Sequence, residues 1–73
     1  MSTFSANIKA CRNTNGLSQK KLASDLGISE RAYQHYEAGT REPNLATLIT
    51  LADIFDVSTD YLLGRTDNPE VNR

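Results

Sequence analysis

The chain has 73 residues, one cysteine and a formal net charge of −1. That length supports one small domain near the size at which a single hydrophobic core is only just sufficient. One cysteine excludes an internal disulfide, and nothing resembles a signal peptide or an apolar run long enough to span a bilayer, so the sequence reads as a cytoplasmic product with no membrane partner.

In chain order, Thr3 or Ser2 caps a first helix that runs to about Thr14, with Phe4, Ile8 and Cys11 spaced by four and three on one core-facing stripe. Cys11 reads as a small buried hydrophobe: there is no second cysteine and no cluster of histidines to suggest a metal. Asn15-Gly16 ends the helix. Ser18 caps a second helix that continues to Leu26, where Gly27 supplies the left-handed residue that stops it. Leu22 and Leu26 share a face, and Ala23 beside them is small enough to admit a crossing helix. Ser29 caps a third helix that runs to about Ala38 and is closed by Gly39.

Two capped helices joined so closely have the spacing of a helix-turn-helix, whose second helix enters the DNA major groove. Counting about 100° per residue from Glu30, the residues Glu30, Gln34, Ala38, Arg31 and His35 fall between roughly 0° and 140°. Ala32, Tyr36, Ser29 and Tyr33 fall between roughly 200° and 300°, which leaves one polar face and one core face.

The loop Thr40-Arg41-Glu42-Pro43 follows, and Asn44 caps a fourth helix to about Phe55. From Leu45 at zero, the residues Leu51, Phe55, Leu48, Ala52, Leu45 and Ile49 span about 160°, a wide stripe expected to face the core, with Ile54 near 180° on the polar side. Ser58 caps a short fifth helix from Thr59 to Leu63, stopped by Gly64. The domain therefore spans 1–64, and residues 65–73, polar with one proline and no periodicity, read as a frayed tail or linker.

The segments GLSQKKLASDLGIS, YEAGTREPN and LADIFDVSTDYLLG, in this order and spacing, resemble the helix-turn-helix family of the lambda-type phage repressors, the Cro proteins and the xenobiotic-response-element-type bacterial regulators. The resemblance covers about Phe4 to Gly64 and implies an all-α, five-helix DNA-binding domain that acts as a homodimer on a palindromic operator. It also implies that Arg12 pairs with Glu37, tying the first helix to the end of the third. It places a dimer surface around Asp56 to Tyr61, where Ile54, Val57, Thr59 and Tyr61 offer a modest apolar patch. The family commonly has an aliphatic residue where Tyr33 stands, so the Tyr33 hydroxyl must reach solvent, a core partner or the DNA.

The overall charge is unlike that of most nucleic-acid binders, but its distribution is uneven. Residues 1–41 carry six basic side chains against three acidic ones, and residues 42–73 carry two against six. The basic half contains the helix-turn-helix, which suits a local DNA footprint with an acidic far side. Ser29, Glu30, Arg31, Gln34 and His35 are the expected base readers: Arg31 suits guanine O6 and N7, Gln34 suits adenine N6 and N7, and Glu30 can accept from cytosine N4 or simply complement the helix dipole. Ser18 and Gln19, at the anion-attracting start of the second helix, and Thr40 and Arg41, after the third, are expected on phosphates.

No nucleophile elbow, metal-ligand spacing or phosphate-binding glycine loop is present, so no catalytic residue, cofactor, metal or small-molecule ligand is implied. The competing reading is a protein-interaction module of the same fold, an antitoxin or a co-activator bridge. The two differ on the outward face of the third helix, which needs donors for DNA and apolar anchors for a protein.

Overall fold

In the computed structural model, which describes residues 3–71, the chain forms five helices: α1 (Phe4–Thr14), α2 (Gln19–Leu26), α3 (Glu30–Ala38), α4 (Leu45–Phe55) and α5 (Thr59–Leu62). No strand occurs among the described residues, and no helix of theirs is long and apolar enough to cross a membrane.

Every helix starts on a side-chain cap. Thr3 Oγ1 accepts from the Ala6 N–H at 3.2 Å, Ser18 Oγ from Lys21 at 2.9 Å and Ser29 Oγ from Ala32 at 3.0 Å. Asn44 Oδ1 accepts from the Thr47 N–H at 2.8 Å and Ser58 Oγ from Tyr61 at 3.0 Å. Each such bond satisfies one of the orphan donors of the first turn and contributes about 1 kcal/mol. Ser2, the alternative first cap, lies outside the described residues. At the other ends, Gly27 and Gly39 adopt φ of 72° and 77°, which lets the next residue's N–H reach back five positions: Ile28 to the Ala23 carbonyl at 3.0 Å and Thr40 to that of His35 at 3.1 Å. Asp56 closes α4 in the same left-handed region, at φ 53°. The fifth helix ends at Leu62, one residue before the predicted limit, with Leu63 as its C-cap.

The core gathers Ile8 and Cys11 from α1, Leu22 and Ala23 from α2, Tyr33 and Tyr36 from α3, Leu51, Ala52 and Phe55 from α4, and Leu62 from α5. On α4 the buried arc is turned away from the predicted one. Leu45 and Ile49 are 77% and 54% exposed, whereas Ile54, expected on the polar side, packs against the core. The apolar stripe of α4 is wider than the surface that α1, α2 and α5 offer it, so one edge stays uncovered, and periodicity cannot say which edge. The polar segment after Gly64 also returns to the domain. The Ser58 N–H donates to the Pro69 carbonyl at 3.0 Å, and side-chain turns at Thr66 and Asn68 guide the chain there. At Pro69 it thus lies against the start of α5, while Asn72 and Arg73 lie outside the described residues.

Candidate nucleic-acid interface

The pair α2–α3 is held by its buried faces. Leu22, Ala23 and Tyr33 are almost wholly inaccessible, and the Tyr33 and Tyr36 rings meet edge to face at 6.2 Å. This leaves the opposite face of α3 to solvent. Ser29, Glu30, Arg31 and Gln34 are exposed on it, and His35 is half-buried. Arg31 makes no hydrogen bond or ion pair among the described residues, so its five donors are free for an external acceptor. No large apolar side chain is exposed on α3.

Behind that face, Arg12 of α1 grips Glu37 of α3 with two bonds, Nε to Oε2 at 2.6 Å and Nη2 to Oε1 at 3.2 Å, while Nη1 donates to the Leu17 carbonyl at 2.9 Å. The two side chains are 13% and 6% exposed. Burial by itself pushes the Glu37 carboxyl up, but the hydrogen bonds of Arg12 and Gln19, the nearby Tyr33 hydroxyl and the Arg12 charge hold it below its ordinary value. The Arg12 guanidinium is raised in turn by its bond to Glu37.

The Tyr33 hydroxyl faces this ion pair and not the DNA side. It is sealed from solvent, forms no hydrogen bond of good geometry, and still feels both charged partners. Burial, reinforced by Glu37, pushes its ionisation far above the ordinary tyrosine range. Burial likewise raises the Cys11 thiol, which suits its place in the core.

The residues expected on phosphates divide into engaged and free. Ser18 spends its hydroxyl oxygen on the α2 cap. Gln19 is drawn into the interior side of the motif, its Nε2 donating to Glu37 Oε1 at 3.1 Å while its Oε1 accepts from Gln34 Nε2 at 3.3 Å. That double role was not predicted, because 18 and 15 residues separate the partners and no local periodicity links them. The Thr40 hydroxyl turns back onto His35, 2.8 Å from Nδ1. Arg41 is exposed and without a partner among the described residues.

Of the residues expected to form a dimer patch, Val57, Thr59 and Tyr61 lie in adjoining hollows, whereas Ile54 turns inward. Val57 and Thr59 line a shallow cavity of ≈ 200 Å³ beside Ile49, Asp53 and Val71. Val57 also lines a second hollow with Tyr61, Cys11, Phe55 and Pro69, and the Tyr61 and Leu62 carbonyls accept from Asn7 Nδ2 at 3.1 and 3.2 Å. Ile54 packs on the core. Ile49, exposed on α4, stands beside Val57 and Thr59 instead.

Residues 8–62 match the helix-turn-helix family model. The HTH-type transcriptional regulator YqaE of Bacillus subtilis strain 168 is 48% identical over 68 residues, covering 93% of this chain and 59% of YqaE. Among solved structures, the P22 c2 repressor in complex with synthetic operator 9T superposes with a TM-score of 0.80 at 30% identity, over 86% of this chain and 96% of that one. SinR, the Bacillus subtilis master regulator for biofilm formation, in complex with DNA, gives 0.75 at 26% identity, over 84% and 98%. The chain spans between 56% and 59% of the length of the first three curated relatives it matches.

Proposed function

The chain belongs to the helix-turn-helix family, and from that premise we propose that it is a sequence-specific DNA-binding transcriptional regulator that places α3 in the major groove of an operator. The observation that carries this reading is the outward face of α3. An unpaired, exposed Arg31 stands there among Glu30, Gln34 and His35, on a helix packed from behind by the core and the Arg12–Glu37 pair. Such a face offers base-edge donors and acceptors held on a rigid support. The likeness to two repressors or regulators solved with operator or DNA supports the same placement. A protein-binding α3 would need outward apolar anchors, and among the described residues the exposed large hydrophobics Leu45, Ile49, Leu63 and Val71 all lie on α4 and beyond.

Selection of bound sites from random duplex DNA tests the reading. We expect one enriched sequence whose affinity falls steeply with salt, since phosphate contacts release counterions. Enrichment of nothing, or binding indifferent to salt, would overturn it.

Two copies acting on a palindrome follow from the small number of base pairs that one helix reads. The exposed Ile49, with Val57 and Thr59 in the same shallow cavity, is the apolar surface best suited to meet a second copy. Asp53 and Asp60 border that cavity, and like charges meeting across a two-fold axis keep the association weak off DNA. Ile49→Arg should then abolish the two-protomer complex on a selected duplex in analytical ultracentrifugation, while Ile54→Val, a change on the core side, leaves it intact. A dimer that survives Ile49→Arg would exclude this surface.

A further inference from the structure

We propose that Gln19 sets which atom of Gln34 faces the DNA, so that α3 presents an acceptor there and selects adenine or cytosine over guanine and thymine on the contacted strand. The inference rests on the DNA reading above and concerns one base position within it.

The two amides are oriented by carboxylates, which only accept while ionised. Arg12 holds Glu37 ionised by a two-bond contact inside the domain. Glu37 Oε1 therefore takes a hydrogen from Gln19 Nε2 at 3.1 Å, and this turns the Gln19 oxygen outward. That oxygen accepts from Gln34 Nε2 at 3.3 Å. The second hydrogen of the same Gln34 nitrogen points to Glu30 Oε2 at 3.5 Å, another acceptor. Flipping the Gln34 amide would set its oxygen against two acceptors, the Gln19 amide oxygen and the Glu30 carboxylate, and this favours one orientation even though the side chain is exposed. Both Gln34 hydrogens are spent, and Oε1 alone remains for a ligand. Gln19 keeps one free N–H, which is available to a phosphate at the same time.

The consequence differs from that of an unconstrained glutamine. A free amide binds adenine through both N6 and N7, which needs a donor as well as an acceptor. An amide locked as an acceptor can take only the amino hydrogens of adenine N6 or cytosine N4 and is repelled by guanine O6 and thymine O4. Glu30 beside it enforces the same choice. Gln19 is thus a positioning residue: it transmits the polarity of a buried ion pair to the reading surface.

Two measurements test this. In site selection, the wild-type chain should show one position at which adenine and cytosine are both enriched, about tenfold over guanine and thymine, and Gln19→Met should reduce that ratio to about twofold as the Gln34 amide is released. A lost phosphate contact alone would lower affinity for all sequences and leave the ratio unchanged. Adenine alone, guanine or thymine at that position, or a ratio unchanged in Gln19→Met, would overturn the proposal. The second measurement needs no DNA. The side-chain amide protons of Gln34, followed by NMR in the free protein, should shift and exchange faster with water in Gln19→Met than in the wild-type chain. Identical Gln34 signals in the two chains refute the relay. If neither chain enriches any sequence, the DNA reading fails and the base selection with it, while the amide signals still report the orientation.

Discussion

Arg12→Ala is expected to cost about 3–5 kcal/mol of folding stability, because it strands the Glu37 carboxylate, 6% exposed, without its cation. For a chain of 73 residues the whole stability is roughly 4–11 kcal/mol, so the variant stands close to unfolding at moderate temperature. The loss should depend on pH with a defined sign. Glu37 in the folded chain lies below its ordinary value, so its contribution is complete above the usual glutamate range, about 4.3, and disappears as pH falls through the lower folded value. Without Arg12 the largest remaining influence on Glu37 is burial, which favours the neutral acid. The difference between the two chains should therefore be greatest near neutral pH and shrink in acid. Urea denaturation across that range decides the matter, and a loss that is constant with pH would contradict it. A double-mutant cycle with Glu37→Ala should show coupling within about 0.5–3 kcal/mol, and additive losses would deny the interaction.

The second large effect is on DNA. Arg31→Ala should weaken binding to the selected operator by about 1–3 kcal/mol and relax the preference at one base position, since Arg31 is the outward guanidinium of α3 with no competing partner among the described residues. Arg41, exposed in the loop that follows, should behave differently. Arg41→Ala is expected to weaken all sequences alike and to lower the salt slope by about 1. Binding isotherms on specific and random duplexes at several salt concentrations separate the two. If both variants lose specificity equally, this division between base reading and phosphate anchoring is wrong.

Much of the candidate site could be read before the fold was known. The polar arc of α3 that holds Glu30, Arg31 and Gln34 is a matter of angular bookkeeping along one helix, and those residues are exposed. The conformation of each side chain on that arc was not open to the same reasoning. Thr40, assigned to phosphate, folds onto His35, and Gln34, assigned to adenine, donates both hydrogens within the protein. Tyr33 could have pointed to solvent, to the core or to DNA. Its ring belongs to the core arc, but only the arrival of α1 places Arg12 beside its hydroxyl, next to Glu37 of the same helix.

What the sequence determined by itself is where the helices begin and end and which way α3 divides into two faces. A cap is a bond from a side-chain oxygen to an N–H three residues on, as at Ser18, Ser29, Asn44 and Ser58, so its whole cause lies in one short stretch of chain. What only the tertiary structure decided is which edge of an over-wide apolar stripe is covered and which polar groups meet across helices. Ile49 is left outside and Ile54 drawn in because the area that α1, α2 and α5 present to α4 is smaller than the stripe. Gln19 turns toward Glu37 because packing brings together residues 18 positions apart, and a buried carboxylate takes whichever donor lies within reach.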